Sequence, residues 1–130
     1  MANPFVHVEL QTKDVAKAKQ FYGRLFDWKL EDTKVSDSNM PQGFEYTMIN
    51  VGEGVGGGMV KAMALAKEAP MWLPYVQVDD VAAATRKAKE LGAEILLEAT
   101  KVGDFGIMSA FRDPTGATLA LWQVLKPPAK

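Results

Sequence analysis

The sequence predicts an α+β fold: two tandem βαβββ modules whose strands form one curled mixed sheet around a cleft. Three observations predict it. A helix-forming segment occurs twice at a fixed offset. Each copy follows a strand and a capping aspartate. Each is succeeded by three more strand-like runs.

The first strand reads "FVHVEL" from Phe5. Asp14 then caps "VAKAKQFYGRL", where Val15, Ala18, Tyr22 and Leu25 form an apolar stripe. Candidate strands follow at Lys29–Val35, Phe44–Val51 and Val55–Lys61. The pattern restarts with "LPYVQV" from Leu73 and Asp80 before "VAAATRKAKEL". Its stripe of Val81, Ala84, Ala88 and Leu91 matches the first stripe position for position, each 66 residues on. Gly92 suits the stop of this helix. Strands are then expected at Glu94–Thr100, Phe105–Arg112 and Thr118–Val124. The last is entered through the turn "DPTG" at Asp113. Residues 1–66 form module 1 and 67–126 module 2 of a single domain spanning 1–130. The tail "KPPAK" reads as a loose end.

Composition narrows the function. The 130 residues are 48% hydrophobic and carry 15 basic and 16 acidic side chains, net charge −1. Mixed charge of this kind lacks the basic face of a nucleic-acid binder. With no cysteine, disulfides, thiolate metal sites and cysteine nucleophiles are excluded. "MANPFVHVEL" does not read as a signal peptide, and no apolar run is long enough to span a bilayer. A soluble cytoplasmic domain is expected.

Strand alternation assigns faces. Val6, Val8 and Leu10 are expected to pack on the helix, leaving Phe5, His7 and Glu9 on the concave side. In the second module Val76 and Val78 match the helix side, and Leu73, Tyr75 and Gln77 face the cleft. His7 and Leu73 are 66 residues apart and so pseudo-symmetric. Ala120 and Trp122 share the cleft face of the last strand. The run "GEGVGG" at Gly52 formally matches G-x-G-x-x-G, with "MVKAMALAKEA" as the helix it would open. The repeat accounts for the segment better, as a strand whose glycines allow close backbone approach.

The ordered pieces "HVEL", "DVAKAKQFYGRLFDW", "GVGGGM", "YVQVDDVAAA" and "FRDPTGATLALWQ" resemble the vicinal oxygen chelate superfamily, also called the glyoxalase/bleomycin resistance/dioxygenase superfamily. The flavour is that of small lactoylglutathione-lyase-related members with a glycine-rich fourth strand. The resemblance covers nearly the whole chain. It implies paired βαβββ modules, an open barrel with a cleft, and a homodimer. In metal-dependent members it also implies one ligand on each of the first, fourth, fifth and eighth strands. His7 sits at the first of these positions. Leu73 occupies the fifth-strand position and Ala120 the eighth. The fourth strand offers Gly57, Gly58 and Met59, with Glu53 the nearest acid, in the loop before them.

The expected function is therefore binding of an apolar or aromatic small molecule in a cleft formed by His7, Glu9, Leu73, Tyr75, Gln77, Ala120 and Trp122. No metal, cofactor, nucleic acid or membrane partner is expected. The alternative is a lyase, isomerase or dioxygenase-like enzyme, either metal-free with His7 and Glu9 as catalytic groups or using unusual metal ligands. A purely structural or regulatory dimer is a third class.

Overall fold

The computed structural model describes residues 2–34, 45–62 and 69–125. Within them run β1 (Phe5–Thr12), α1 (Val15–Leu25), β2 (Lys29–Lys34), β3 (Glu45–Asn50) and β4 (Gly57–Lys61). The second half follows as β5 (Met71–Gln77), α2 (Val81–Glu90), β6 (Glu94–Val102), β7 (Gly106–Arg112) and β8 (Thr118–Val124). Each half is thus βαβββ. The expected strand ends at Val35 and Phe44, the point where module 1 gives way to module 2, and the "KPPAK" tail lie outside the described residues.

All eight strands join one mixed sheet in the order β2-β3-β4-β1-β5-β8-β7-β6. The sheet is open, with β2 and β6 at its ends. Inside each half the first strand pairs in parallel with the fourth, β1 with β4 and β5 with β8. The halves meet where β1 and β5 run antiparallel. This seam sets strands 66 residues apart side by side, and Glu9 lies across from Leu73.

Local chemistry explains the helix starts. The Asp14 carboxylate accepts from the Lys17 amide at 2.9 Å and the Asp80 carboxylate from the Ala83 amide at 3.1 Å. Each satisfies a backbone donor that the first helical turn leaves unpaired. Gly92 ends α2 at φ 107°, a conformation that penalises any side chain. The "GEGVGG" run does not open a helix. Gly52 and Gly54 take φ of 96° and 92° in a turn, and β4 begins at Gly57 rather than Val55.

One assignment of faces is corrected. From His7 onward β1 alternates as expected. Between Phe5 and His7, however, the pairing with β5 shifts register. Phe5 pairs with Val76, and Val6 packs against the cluster containing Leu73 and Tyr75. An extra residue in one strand moves every side chain before it to the other face, which strict alternation cannot foresee. Phe5 therefore belongs to the helix side and Val6 to the concave side.

The concave side of the second module is a packed core of Leu73, Tyr75, Met108, Ala110 and Ala120, flanked by Trp122, Leu97 and Val102. On the opposite side of the first module Leu10, Ile49 and Met59 are buried beneath Tyr22 and Trp28. The helices cover this side unequally. In α2, Val81 and Thr85 are buried, and the Thr85 hydroxyl lies 2.7 Å from that of Ser109 on β7. No residue of α1 is buried.

Candidate functional site

The polar centre of the concave side grows from β1. With its period of two, the strand turns His7, Glu9 and Gln11 to one face, opposite Tyr75, Leu73 and Met71. On the other flank Glu9 pairs with Gly58 of β4, and Gly58 with Met48 of β3. Tyr46, two residues from Met48, therefore faces the same way. Gly58 carries no side chain, and the Tyr46 ring occupies the space where its β-carbon would stand. That close approach lets the phenol reach β1.

A continuous hydrogen-bonded chain results. Glu9 Oε1 accepts from the Tyr46 hydroxyl at 2.9 Å and from the Tyr75 hydroxyl at 3.0 Å. Its other oxygen accepts from Gln11 Nε2 at 2.8 Å. His7 Nε2 lies 2.6 Å from the Tyr46 oxygen. Because the Tyr46 hydrogen is spent on Glu9, Nε2 is the donor in that contact. A neutral His7 ring then keeps Nδ1 as its acceptor. Tyr75 meets the His7 ring edge-on, centroids 5.3 Å apart. Glu9 and Tyr75 are themselves 66 residues apart, so the carboxylate of one module is held by its own counterpart in the other.

Burial tunes these groups. Loss of water pushes the Glu9 carboxyl above its ordinary value, opposed by the hydrogen bonds from Gln11, Tyr46 and Tyr75. Burial lowers the His7 imidazole, favouring the neutral ring. Both tyrosines are raised, first by burial and then by the neighbouring Glu9 charge, so they stay protonated donors. Gln11 is 3% exposed, and among the described residues its Oε1 has no partner.

The remaining sequence-predicted residues divide into buried core and half-buried flank. Leu73 and Ala120 are fully buried in the apolar cluster, with Tyr75 beside them. Ala120 pairs with Tyr75, and Trp122 with Gln77, on the parallel strands β5 and β8. Gln77 and Trp122 are half-buried, and Trp122 meets Tyr75 at 6.3 Å between ring centroids. Of the positions that the family resemblance marks for metal ligands, His7, Leu73 and Ala120 stand on β1, β5 and β8, and of these three side chains only that of His7 has a donor atom. Glu53 sits in the exposed turn between Gly52 and Gly54. Among the described residues no three His, Cys, Asp or Glu side chains gather as a metal cluster. One imidazole does not satisfy the several donors that divalent ions require.

Tyr46, Gln11 and Met108 were not singled out from the sequence as site residues, and Gly58 was named only as one of three fourth-strand positions. Gln11 simply extends the His7, Glu9 alternation by one step. Met108 accepts a contact from the Tyr75 hydroxyl at 3.6 Å. The facing of Tyr46 depends on how β3 registers on β4, which no local pattern encodes.

The sequence pattern of the Glyoxalase/Bleomycin resistance protein/Dioxygenase superfamily matches residues 5–121, almost the entire chain. The chain belongs to that superfamily. CFP32 of Mycobacterium bovis, provisionally named a glyoxylase, is 36% identical over 118 residues. That match covers 89% of this chain and 44% of the relative. The anthracycline biosynthesis protein DnrV of Streptomyces peucetius is 30% identical over 132 residues, covering 88% of this chain and 45% of that protein. The chain therefore spans less than half the length of either relative. Among solved structures, the hypothetical protein BH1468 of Bacillus halodurans superposes with a TM-score of 0.68 at 16% identity, covering 100% of this chain and 99% of that one. Methylmalonyl-CoA epimerase of Mycobacterium tuberculosis superposes with a TM-score of 0.64 at 17% identity, covering 95% and 88%. At such identities the likeness concerns the fold of the superfamily. No helix among the described residues is long and apolar enough to cross a membrane.

Proposed function

We propose that the concave face binds a small molecule with an apolar or aromatic body, without a metal ion, and that the protein works as a cytoplasmic homodimer. One observation carries the binding reading. At the ligand positions that the family resemblance implies, His7 stands with Leu73 and Ala120, and the fourth strand offers Gly57, Gly58 and Met59, while the adjacent Glu9 is engaged by Tyr46, Tyr75 and Gln11. An apolar wall with a few oriented polar groups is the usual design of a small-molecule site. Trp122 supplies aromatic surface at its rim, and His7 a single polar contact. The names of the relatives, a glyoxylase and an anthracycline biosynthesis protein, are in keeping with small-molecule chemistry.

The test is a titration of planar aromatic compounds followed by tryptophan fluorescence. At least one should quench saturably, and Trp122→Ala should weaken its binding by about 1–3 kcal/mol while the circular dichroism of the fold is kept. If Trp122→Ala unfolds the chain and no compound perturbs the spectrum, the ring is core only and the reading fails. The metal-free part has its own check. Elemental analysis of the purified protein should find far less than one equivalent of zinc, nickel, manganese or iron. Leu73→His combined with Ala120→Glu should create measurable affinity where a lone imidazole has little. Stoichiometric metal in the unaltered protein, lost in His7→Ala, would overturn it.

A second reading rests on the Tyr46 hydroxyl, which touches both His7 and Glu9. Through it the imidazole is held as a neutral base with a buried carboxylate behind it. That arrangement suits abstraction of a proton from a bound substrate by His7, as in a metal-free lyase or isomerase.

A further inference from the structure

The other face of the sheet carries an opening unrelated to the concave side. Beside β1 on the helix side of the first module lies a cavity of about 250 Å³. The indoles of Trp28 and Trp72 flank it, centroids 6.4 Å apart and planes at 78°. Val8 and Ile49 line it from the sheet, and Val55 stands at its rim, 44% exposed. Among the described residues that line it, none contributes a carboxylate, amine or hydroxyl side chain.

The repeat provides an internal control for this cavity. Glu9 pairs with Gly58 as its counterpart Tyr75 pairs with Ala120, so Gly57 of β4 stands where Leu119 stands on β8. The second module fills that register position with a leucine. Its helix fully buries Val81 and Thr85, whereas Val15, Ala18 and Tyr22 of α1 are only half-buried. In the first module the same position is bare. A β-carbon at Gly57 would collide with the Val8 carbonyl, and one at Gly56 would meet the Ile49 carbonyl at 2.9 Å. The backbone thus forbids side chains on this part of the floor. The space is kept open by strand geometry, while large rings stand around it.

We propose that this cavity is a second binding site, for a neutral planar hydrocarbon-like molecule of one or two fused rings. Its size and chemistry select that occupant. An apolar protein cavity of roughly 150 Å³ accepts benzene, so this one has room for a second ring. Ring edges and faces offered by perpendicular indoles match the stacked and edge-on contacts aromatic molecules prefer. A peptide strand would bury amide groups against walls without partners for them. A helix is too large to enter a volume of this size, and contact between copies is told apart by the test below.

Naphthalene is the probe, titrated into the full chain and followed by ligand-observed NMR. Saturable binding of one equivalent is expected. Val55→Trp, which closes the rim from an exposed position, should weaken it at least tenfold, and Trp72→Ala should weaken it comparably. Trp122→Ala, on the opposite face, should leave it unchanged, which separates this site from the concave one. Circular dichroism confirms that each variant is folded, and Val55→Trp carries the test if Trp72→Ala is not. Absence of saturable binding up to the solubility of naphthalene would overturn the proposal. So would binding that survives Val55→Trp or is lost in Trp122→Ala. Sedimentation adds a last outcome: a dimer that dissociates in Val55→Trp would assign this face to contact between copies and overturn the small-molecule site.

Discussion

Glu9→Ala is expected to lower the stability of the fold by on the order of 3 kcal/mol, whereas Glu9→Gln should change it by about 1 kcal/mol or less. Three buried or half-buried donors converge on this carboxylate: the Tyr46 and Tyr75 hydroxyls and the Gln11 amide. Each donor stranded without an acceptor costs about 1–3 kcal/mol, partly offset because the buried charge disappears too. In Glu9→Gln the new amide oxygen still accepts from both tyrosines. Its NH2 group can donate to Gln11 once that amide turns over, giving Gln11 Oε1 the partner it lacks among the described residues. Urea unfolding of the two variants at pH 7 is the measurement. Equal stabilities for Glu9→Ala and the unaltered protein would show that the convergence contributes nothing. The pH profile adds a signature. Burial raises the Glu9 carboxyl above its ordinary 4.5, so the folded state keeps its proton to higher pH than the unfolded chain does. The Glu9 contribution to stability is therefore fully present below 4.5 and declines as pH rises from there through the raised folded value. His7, lowered by burial from 6.5, acts in the opposite sense: its contribution is present above 6.5 and is lost as pH falls through its lowered folded value. Glu9→Gln should remove the first slope and leave the second.

Gly58→Ala should be nearly as damaging, on the order of 2–4 kcal/mol, far beyond an ordinary glycine-to-alanine exchange in a strand. The added carbon would have to occupy the space of the Tyr46 ring. Expelling the ring breaks its contacts to both His7 and Glu9. Tyr46→Phe, which removes only the hydroxyl, should cost about 1–2 kcal/mol by the same hydrogen-bond reckoning. A double-mutant cycle supplies the decisive number. In a Tyr46→Ala background Gly58→Ala should cost little, because nothing remains to be displaced. Strictly additive costs would mean that the glycine is required for another reason.

Much of this architecture was legible in the residues. The helix stripes of Val15, Ala18, Tyr22 and Leu25 and their copies 66 positions later placed both helices, and Asp14 and Asp80 marked their starts. The same offset applied to His7 pointed at Leu73. Applied one step further it joins Glu9 to Tyr75, the pair that bonds across the seam. What escaped were features set by register between distant strands. The shift between Phe5 and His7 depends on how β1 meets β5. The facing of Tyr46 depends on β3 sliding on β4 until Met48 stands opposite Gly58. Neither has a local signature, because alternation states which residues share a face and leaves open which face that is.

An open sheet has two free ends, and a free end can recruit a foreign strand. The outermost strands of this chain are built against that hazard. β2, "KLEDTK", carries Lys29, Glu31, Asp32 and Lys34 among its six residues, and the Lys19 ammonium of α1 sits 2.9 Å from Asp32. β6 bears Glu94, Glu98 and Lys101, and its pairing with β7 is interrupted between Ile95 and Leu97 and again between Leu97 and Thr100. Charges and irregular pairing are the means by which sheet proteins discourage end-to-end polymerisation and fibril growth. Association of copies through continuous strand pairing at β2 or β6 is thereby disfavoured, and crowded conditions should leave the protein dispersed rather than fibrillar.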